Sequence, residues 1–456
     1  MAVPGTVGHM KRVEPLSGFP EWLPEQRLVE LAVLDAIRRQ FELHGFVPIE
    51  TPAVERLDNL LHHGETDKEL YVVRRLHARS EEPEPALGLH YDLTVPLARY
   101  VLQHRGDLAF PFKRYQIQKS WRGERPQDGR YREFYQADID VVGDGTLSLA
   151  FDSEIARIIH EVLAALPLPP VRLAINNRKL CEGFYQAIGI EDVQAVLRIV
   201  DKLDRVGERE VRQALLSEAG LSEPQADGCL QLARIHTPDT SFAQQVRDLG
   251  AESDLIQEGI DELASVLSSL SDLPTGSVWA DLRVARGLDY YTGTVYETSM
   301  AGHEGLGSIC SGGRYDNLAT GANRTFPGVG VSIGVSRVIG RLLGRGELRA
   351  SRRTPTCVLV ALSSEQLRGQ AQQVAKRLRE RGIPCEVFHE PVKFGNQIRY
   401  AARTGIPYVW FLEGEQSGSQ EVRDIRSGEQ RPADAATWSP RDNDLVVRVE
   451  RPAASA

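Results

Sequence analysis

Apolar and polar positions along this chain fall into three textures. The first begins at residue 24. Apolar side chains recur at Leu28, Leu31, Leu34, Ile37 and Phe41, the three-and-four spacing of a one-sided helix, and Gly45 stops it. That predicts a helix from 24 to about 44. Residues 46–54 read as a strand interrupted by Pro48 and Pro52, 110–142 as two long strands joined by a charged loop, and 147–165 as a helix. The second texture runs from about 170 to 273. It is mostly helical, rich in Asp and Glu and poor in strand signals, and predicts an inserted domain. Strands and glycines return from 277 to 334, with a short strand at 294–298, and a helix follows to about 343. The third texture comes after a Gly/Arg/Ser-rich stretch, 344–354, that reads as a linker. Strands at 356–362, 385–389 and 408–412 alternate with helices at 365–381 and 393–403. This βαβαβ rhythm predicts a small α/β domain with a mostly parallel sheet. The expected boundaries are 1–169, 170–274, 275–345, 346–355 and 356–456.

The bulk numbers narrow the class. A chain of 456 residues, 41% hydrophobic and 26% charged, has ample core for two to four domains. No apolar run approaches the roughly 18–20 residues of a membrane span, and residues 1–12 lack the apolar stretch of a secretory signal. Five scattered cysteines with no Cys-x-x-Cys pair argue against a thiolate zinc site and a disulfide framework, and for a reducing cytoplasm. The net charge of −9 excludes a generally basic nucleic-acid binder. Charge is uneven, however: residues 351–456 hold 16 Lys+Arg against 13 Asp+Glu, leaving 38 against 50 for the rest. A slightly basic tail on an acidic body permits a nucleic-acid partner without demanding one.

Five runs could carry chemistry. Residues 286–297, Arg-Gly-Leu-Asp-Tyr-Tyr-Thr-Gly-Thr-Val-Tyr-Glu, put a fixed cation, two phenols and two glycines ahead of a strand. They are poor core material and suit a pocket floor beside an anion. In 112–142, alternation sets Gln116, Gln118, Ser120 and Arg122 on one strand face, opposite Tyr115, Ile117 and Trp121. Gln136, Asp138 and Asp140 share a face of the returning strand. The loop between holds Arg125, Arg130 and Arg132 with Glu124 and Asp128, which suggests phosphate handling. Taken alone, a solvated sheet with a charged turn fits equally well. In 89–100, Asp92 and Thr94 sit in an apolar strand-to-helix turn, where Thr94 before Pro96 is also a helix start signal. Gly312 and Gly313, before Arg314-Tyr315-Asp316, allow close backbone approach to a ligand. A tight turn before a capped helix explains them as well. Residues 328–337 read as a strand feeding a helix that carries Arg337. The glycine spacing there does not match a dinucleotide fingerprint.

These segments resemble histidyl-tRNA synthetases. Residues 286–297 and 308–318 resemble the two histidine signatures, 112–142 resemble class II motif 2, 328–337 motif 3, and 45–52 motif 1. Residues 175–179, 200–204 and 422–430 fit the inserted region and the anticodon-binding domain of that family. The resemblance implies an α+β fold, with a class II synthetase-like antiparallel sheet of six or seven strands flanked by helices. A helical insertion and a C-terminal α/β anticodon-binding-like domain complete it. In that scheme 1–169 and 275–345 are the two parts of the catalytic domain. It implies Arg122 at the α-phosphate of ATP, Glu124 at adenine, Arg130 in the ATP site and Arg337 at the γ-phosphate. Asp92 with Thr94 would take the amino-acid ammonium, Gln136 and Asp140 would be further histidine ligands, and Tyr290 and Tyr291 would hold the imidazole. Gly312, Gly313 and Tyr315 would wall that pocket. Arg286 would touch histidine and, with Arg122, stabilise charge during reaction, where other class II enzymes use a metal. The family usually has arginine where this chain has His90, so position 90 is left out of the site. The implied partners are L-histidine, ATP with Mg2+, tRNA(His) and a second copy of the chain, with Pro52 at the dimer interface and no protein-held metal. The alternative is a non-catalytic, histidine-sensing regulatory paralogue. Such proteins typically lose the arginine signature and the tail, both of which this chain keeps.

Overall fold

The computed structural model describes residues 14–61, 69–76, 86–285, 290–321, 323–412 and 420–452. They divide into two units, 14–21 with Arg38–Val338, and Trp22–Ile37 with 339–452.

The first unit is built on a nine-stranded sheet. Its strands are β1 (Val47–Pro48), β2 (Phe112–Trp121), β3 (Glu133–Val142), β4 (Val171–Asn177), β5 (His236–Thr237), β6 (Val278–Asp281), β7 (Thr294–Met300), β8 (Cys310–Gly321) and β9 (Arg324–Gly334). Their spatial order is β1-β2-β3-β9-β8-β7-β4-β6-β5. The six strands from β2 to β4 in that order are all antiparallel to their neighbours. The expected antiparallel sheet is therefore its centre, while β1 joins β2 and β6 joins β4 in parallel. Both β2 and β3 obey the predicted alternation. On β3, Ala137, Ile139 and Val141 are fully buried on one face, and helix Ala150–Ala164 follows.

Three expectations need correction. The strand read at 46–54 is split by its prolines: Val47–Pro48 joins the main sheet, and Val54–Arg56 pairs in a separate three-stranded sheet with Leu87–Leu89. Pro48 lacks an N–H, which suits a two-residue strand at a sheet edge. Where a helical segment was expected from 170, the chain first lays down β4, paired with β7 from Asn177↔Thr294 to Val171↔Met300. Its period-two signal, Val171, Leu173 and Ile175, is only three residues long. Helices do follow, and two of them lock together. A Cβ at Gly259 of helix Asp254–Ser269 would lie 2.4 Å from the Leu180 backbone nitrogen, and one at Gly183 would lie 2.8 Å from that of Ile256. Reciprocal glycines thus let helices Arg178–Ala187 and Asp254–Ser269 touch backbone to backbone. Residues 308–318 are not a turn before a helix. They form most of β8, and their glycines are strand positions.

In the second unit, β10 (Val358–Val360), β11 (Cys385–Val387), β12 (Tyr408–Leu412), β13 (Gln420–Asp424) and β14 (Gln430–Pro432) form a sheet of order β11-β10-β12-β13-β14. The first three are parallel, as the βαβαβ pattern requires, and are accompanied by helices Arg368–Glu380 and Phe394–Thr404. The last two add an antiparallel extension. Part of the stretch read as a linker is ordered within this unit. Arg349–Ala350 pairs with Val449–Glu450, and buried Arg352 donates to the Asp444 carbonyl at 2.7 Å. All five cysteines are free. Among the described residues no helix is long and apolar enough to cross a membrane.

Candidate functional site

Two adjoining cavities open over the polar face of the central strands. Register builds that face. Across β2 and β3, Arg114 faces Asp140, Gln116 faces Asp138 and Gln118 faces Gln136. On the other side of β3, β9 places Gly330, Ser332 and Gly334 opposite Asp140, Asp138 and Gln136. Small residues beside large polar ones leave space above the sheet. The glycines are steric requirements. A Cβ at Gly330 would lie 2.1 Å from Asp140 Oδ1, one at Gly312 would lie 2.0 Å from the Gly330 carbonyl oxygen, and one at Gly313 would lie 2.8 Å from the Tyr291 ring.

The inner cavity gathers Asp92, Thr94, Gln136, Asp140, Tyr290, Tyr291, Gly312 and Tyr315, with Asp138 among them. Gly313 serves it indirectly, by making room for Tyr291. Asp92 Oδ1 accepts the Val95 N–H at 3.1 Å, so Asp92 caps helix Thr94–His104, and Thr94 is its first residue. Asp140 is held from two sides. Tyr315 donates its hydroxyl to Oδ1 at 2.7 Å, and the Arg114 guanidinium lies 2.6 Å from Oδ2, with both partners of this ion pair buried. Arg114 also donates to the Leu93 carbonyl at 3.2 Å. The Tyr290 ring stands edge-on to Tyr291 at 4.8 Å and to Tyr315 at 6.2 Å.

Burial pushes the Asp138 carboxyl up to about 7 and that of Asp140 up to about 6, against the partial offset of Arg114. Both lie above the ordinary 3.8. Their contribution to stability is therefore complete below that value and is lost as pH rises through 6 and 7. Asp138→Asn is expected to flatten this decline. Its unfolding midpoint should exceed that of the parent at pH 8, with the gap narrowing toward pH 5, as read by calorimetry without ligands. A variant less stable than the parent at pH 8 would contradict the assignment.

The outer cleft gathers Arg122, Glu124, Arg130 and Arg337, with Arg205 and Phe134. Arg122 donates from Nε to the Tyr91 carbonyl at 3.0 Å, and its guanidinium lies 5.3 Å over the Phe134 ring. Arg130 Nη1 pairs with Glu124 at 3.1 Å, and Arg337 Nη1 donates to the Ser308 carbonyl at 2.6 Å. The loop between β2 and β3 turns tightly at Gly129, whose φ of +69° favours glycine. Arg122, Gln136, Ser311 and Ser332 line both cavities. The outer cleft is dominated by guanidinium groups and the inner cavity by carboxylates, with Arg122 at their junction. This arrangement suits a polyanion outside and a cationic small molecule inside.

Arg286 lies outside the described residues. His90 is buried, its two ring nitrogens 3.2 Å from the Pro52 carbonyl oxygen and 2.7 Å from that of Lys119, beside Trp121. Its ring is committed to backbone carbonyls. Arg114, Arg205 and Ser332 were missed by the sequence reading. Arg114 had a signal, since extending the Gln116–Gln118 alternation back two residues reaches it. Arg205 and Ser332 had none beyond residue type.

Comparison with known proteins adds an independent line. A family model described as Histidyl-tRNA synthetase matches residues 18–338, and one described as Anticodon binding domain matches 356–437. A relative from Micrococcus luteus named Histidine--tRNA ligase is 56% identical, covering 97% of this chain and 99% of its own. One of the same name from Thermobifida fusca is 53% identical, covering 94% and 98%. The crystal structure of histidyl-tRNA synthetase from Nostoc superposes with a TM-score of 0.83 at 36% identity, covering 93% of this chain and 97% of that one.

Proposed function

The chain belongs to the histidyl-tRNA synthetase family, and from that premise we propose that it activates L-histidine with ATP and transfers the histidyl group to tRNA(His). The observation that carries this reading is the pair of adjoining cavities with opposite charge that meet at Arg122.

In this scheme histidine occupies the inner cavity. Asp92 and Thr94 hold its ammonium, Asp140 with Tyr290, Tyr291 and Tyr315 reads the imidazole, and Gln136 orients it. Gly312 and Gly313 keep the pocket open. ATP occupies the outer cleft, with Glu124 at the adenine amino group and Arg130 and Arg337 along the phosphates. A carboxylate oxygen of histidine attacks the α-phosphorus, and the bond to pyrophosphate breaks. The terminal ribose hydroxyl of the tRNA then attacks the histidyl carbonyl carbon, and AMP leaves. Neither step uses a protein nucleophile. Arg122 faces the reacting phosphate from the junction of the cavities, and Arg286 is assigned the second cation there. Positioning and charge stabilisation supply the rate. Buried polar groups that pair with the ring exclude other amino acids, because a wrong ligand leaves them unpaired.

Among the described residues no group of three or more His, Cys, Asp or Glu is placed to hold a metal ion. Mg2+ is assigned to enter with ATP, held largely by phosphate oxygens and water. The 356–456 region is assigned to the tRNA anticodon, the 170–274 helices to an insertion beside the catalytic sheet, and Pro52 to a homodimer interface in the cytoplasm.

Histidine-dependent ATP–pyrophosphate exchange, run with each of the twenty amino acids, tests the reading. Exchange with histidine alone is expected. Histidine binding without exchange would instead identify a regulatory, histidine-sensing paralogue. Within the same assay, Gly330→Ala should raise the KM for histidine about tenfold or more, because its Cβ intrudes on Asp140. The KM for ATP should hold. Equal changes in both would remove Gly330 from the amino-acid pocket.

A further inference from the structure

The inner cavity holds a carboxylate for which this mechanism has no use. Asp138 is 1% exposed and lines the cavity midway along β3, between Gln136 and Asp140. Gln136 Nε2 donates to Ser332 Oγ at 2.6 Å, and the Ser332 hydroxyl beside Asp138 favours its ionised form. Asp138 Oδ1 is buried and meets no hydrogen-bond donor among the described residues.

Leaving a buried carboxylate oxygen without a donor is costly. The local charge sharpens the problem. Asp140 and Asp92 raise the cost of ionising Asp138, and buried Arg114 forms its ion pair with Asp140. An apolar or amide side chain at 138 would fold more comfortably, so the carboxylate points to a ligand that brings a cation with N–H donors.

We propose that Asp138 is a further specificity-determining residue, whose carboxylate accepts a hydrogen bond from the ammonium group of the bound amino acid and shares that charge with Asp92. The inference rests on the reading of the inner cavity as the histidine site. Ser332 then acts as a positioning residue, holding the Asp138 carboxylate toward the ligand. Asp138→Asn keeps the shape and the link to Ser332 but removes the charge.

Titration calorimetry of the full chain tests this with three ligands. L-Histidine carries ammonium and carboxylate, histamine carries ammonium alone, and imidazolepropionate carries carboxylate alone. A charged hydrogen bond at a buried site is worth about 10- to 100-fold in affinity. Asp138→Asn should weaken L-histidine and histamine by that factor and leave imidazolepropionate unchanged. Ser332→Ala should weaken the same two ligands by a smaller factor, and it serves alone if the Asn variant does not fold. Loss of all three ligands together, or of none, would overturn the proposal. Parent protein that fails to bind histidine would overturn the functional reading itself, a different result from an unselective variant.

Discussion

Arg114→Met is expected to lower the unfolding free energy of the catalytic unit by about 3–5 kcal/mol and to abolish histidine-dependent exchange. Arg114 is fully buried and ion-paired with Asp140, and it donates to the Leu93 carbonyl just ahead of helix Thr94–His104. Removing the guanidinium strands a buried carboxylate that keeps the Tyr315 hydroxyl as a donor. The stability loss comes mainly from that stranded charge rather than from the net value of the pair. Arg114→Met combined with Asp140→Leu should therefore recover much of the stability while leaving exchange absent. Urea denaturation of the two variants reads this. A single variant as stable as the parent, or a double variant that exchanges pyrophosphate, would contradict it.

Arg122→Ala should act in the opposite way, with little loss of stability and a fall in kcat of about 10²–10³-fold. Its side chain is 31% exposed, and its ion pair to Glu124 is long at 3.9 Å, so the fold gains little from it. Its place is what matters, since it lines both cavities and is fixed by the Tyr91 carbonyl and the Phe134 ring. Arg122→Lys should restore only part of the rate, because an ammonium lacks the planar set of donors. Single-turnover adenylate formation is the appropriate measurement. Near-normal turnover in the Ala variant would remove Arg122 from the reaction.

Much of this architecture was legible because β2 and β3 are covered differently on their two faces. Alternation at Gln116, Gln118 and Arg122, and at Gln136, Asp138 and Asp140, located the polar face that the structure places under both cavities. Elsewhere the pattern misled for identifiable reasons. Gly312 and Gly313 fitted a tight turn as well as a close approach, and they sit inside β8, where neighbouring backbone and the Tyr291 ring occupy the space of their missing side chains. β4 offers only three apolar alternations before helix-forming residues take over. The Asp140–Arg114 pair depends on register between two strands, which single-chain alternation does not specify. Asp92 was read as a ligand beside a Thr94 cap, and the backbone hydrogen bond gives the capping role to Asp92. In the tail, parallel strands β10 to β12 followed from the βαβαβ rhythm, while β13 and β14 are polar segments with weak strand signals.

The central claim is that histidine and ATP meet at Arg122 from opposite cavities. A crystal structure of the full chain with a non-hydrolysable histidyl-adenylate analogue tests it most directly. The account predicts the imidazole against Asp140 and the tyrosines, the ammonium between Asp92 and Asp138, and the adenosine beside Phe134 and Glu124, with Arg122 on the phosphate mimic. An analogue bound with its imidazole in the outer cleft, or bound elsewhere on the protein, would contradict the account.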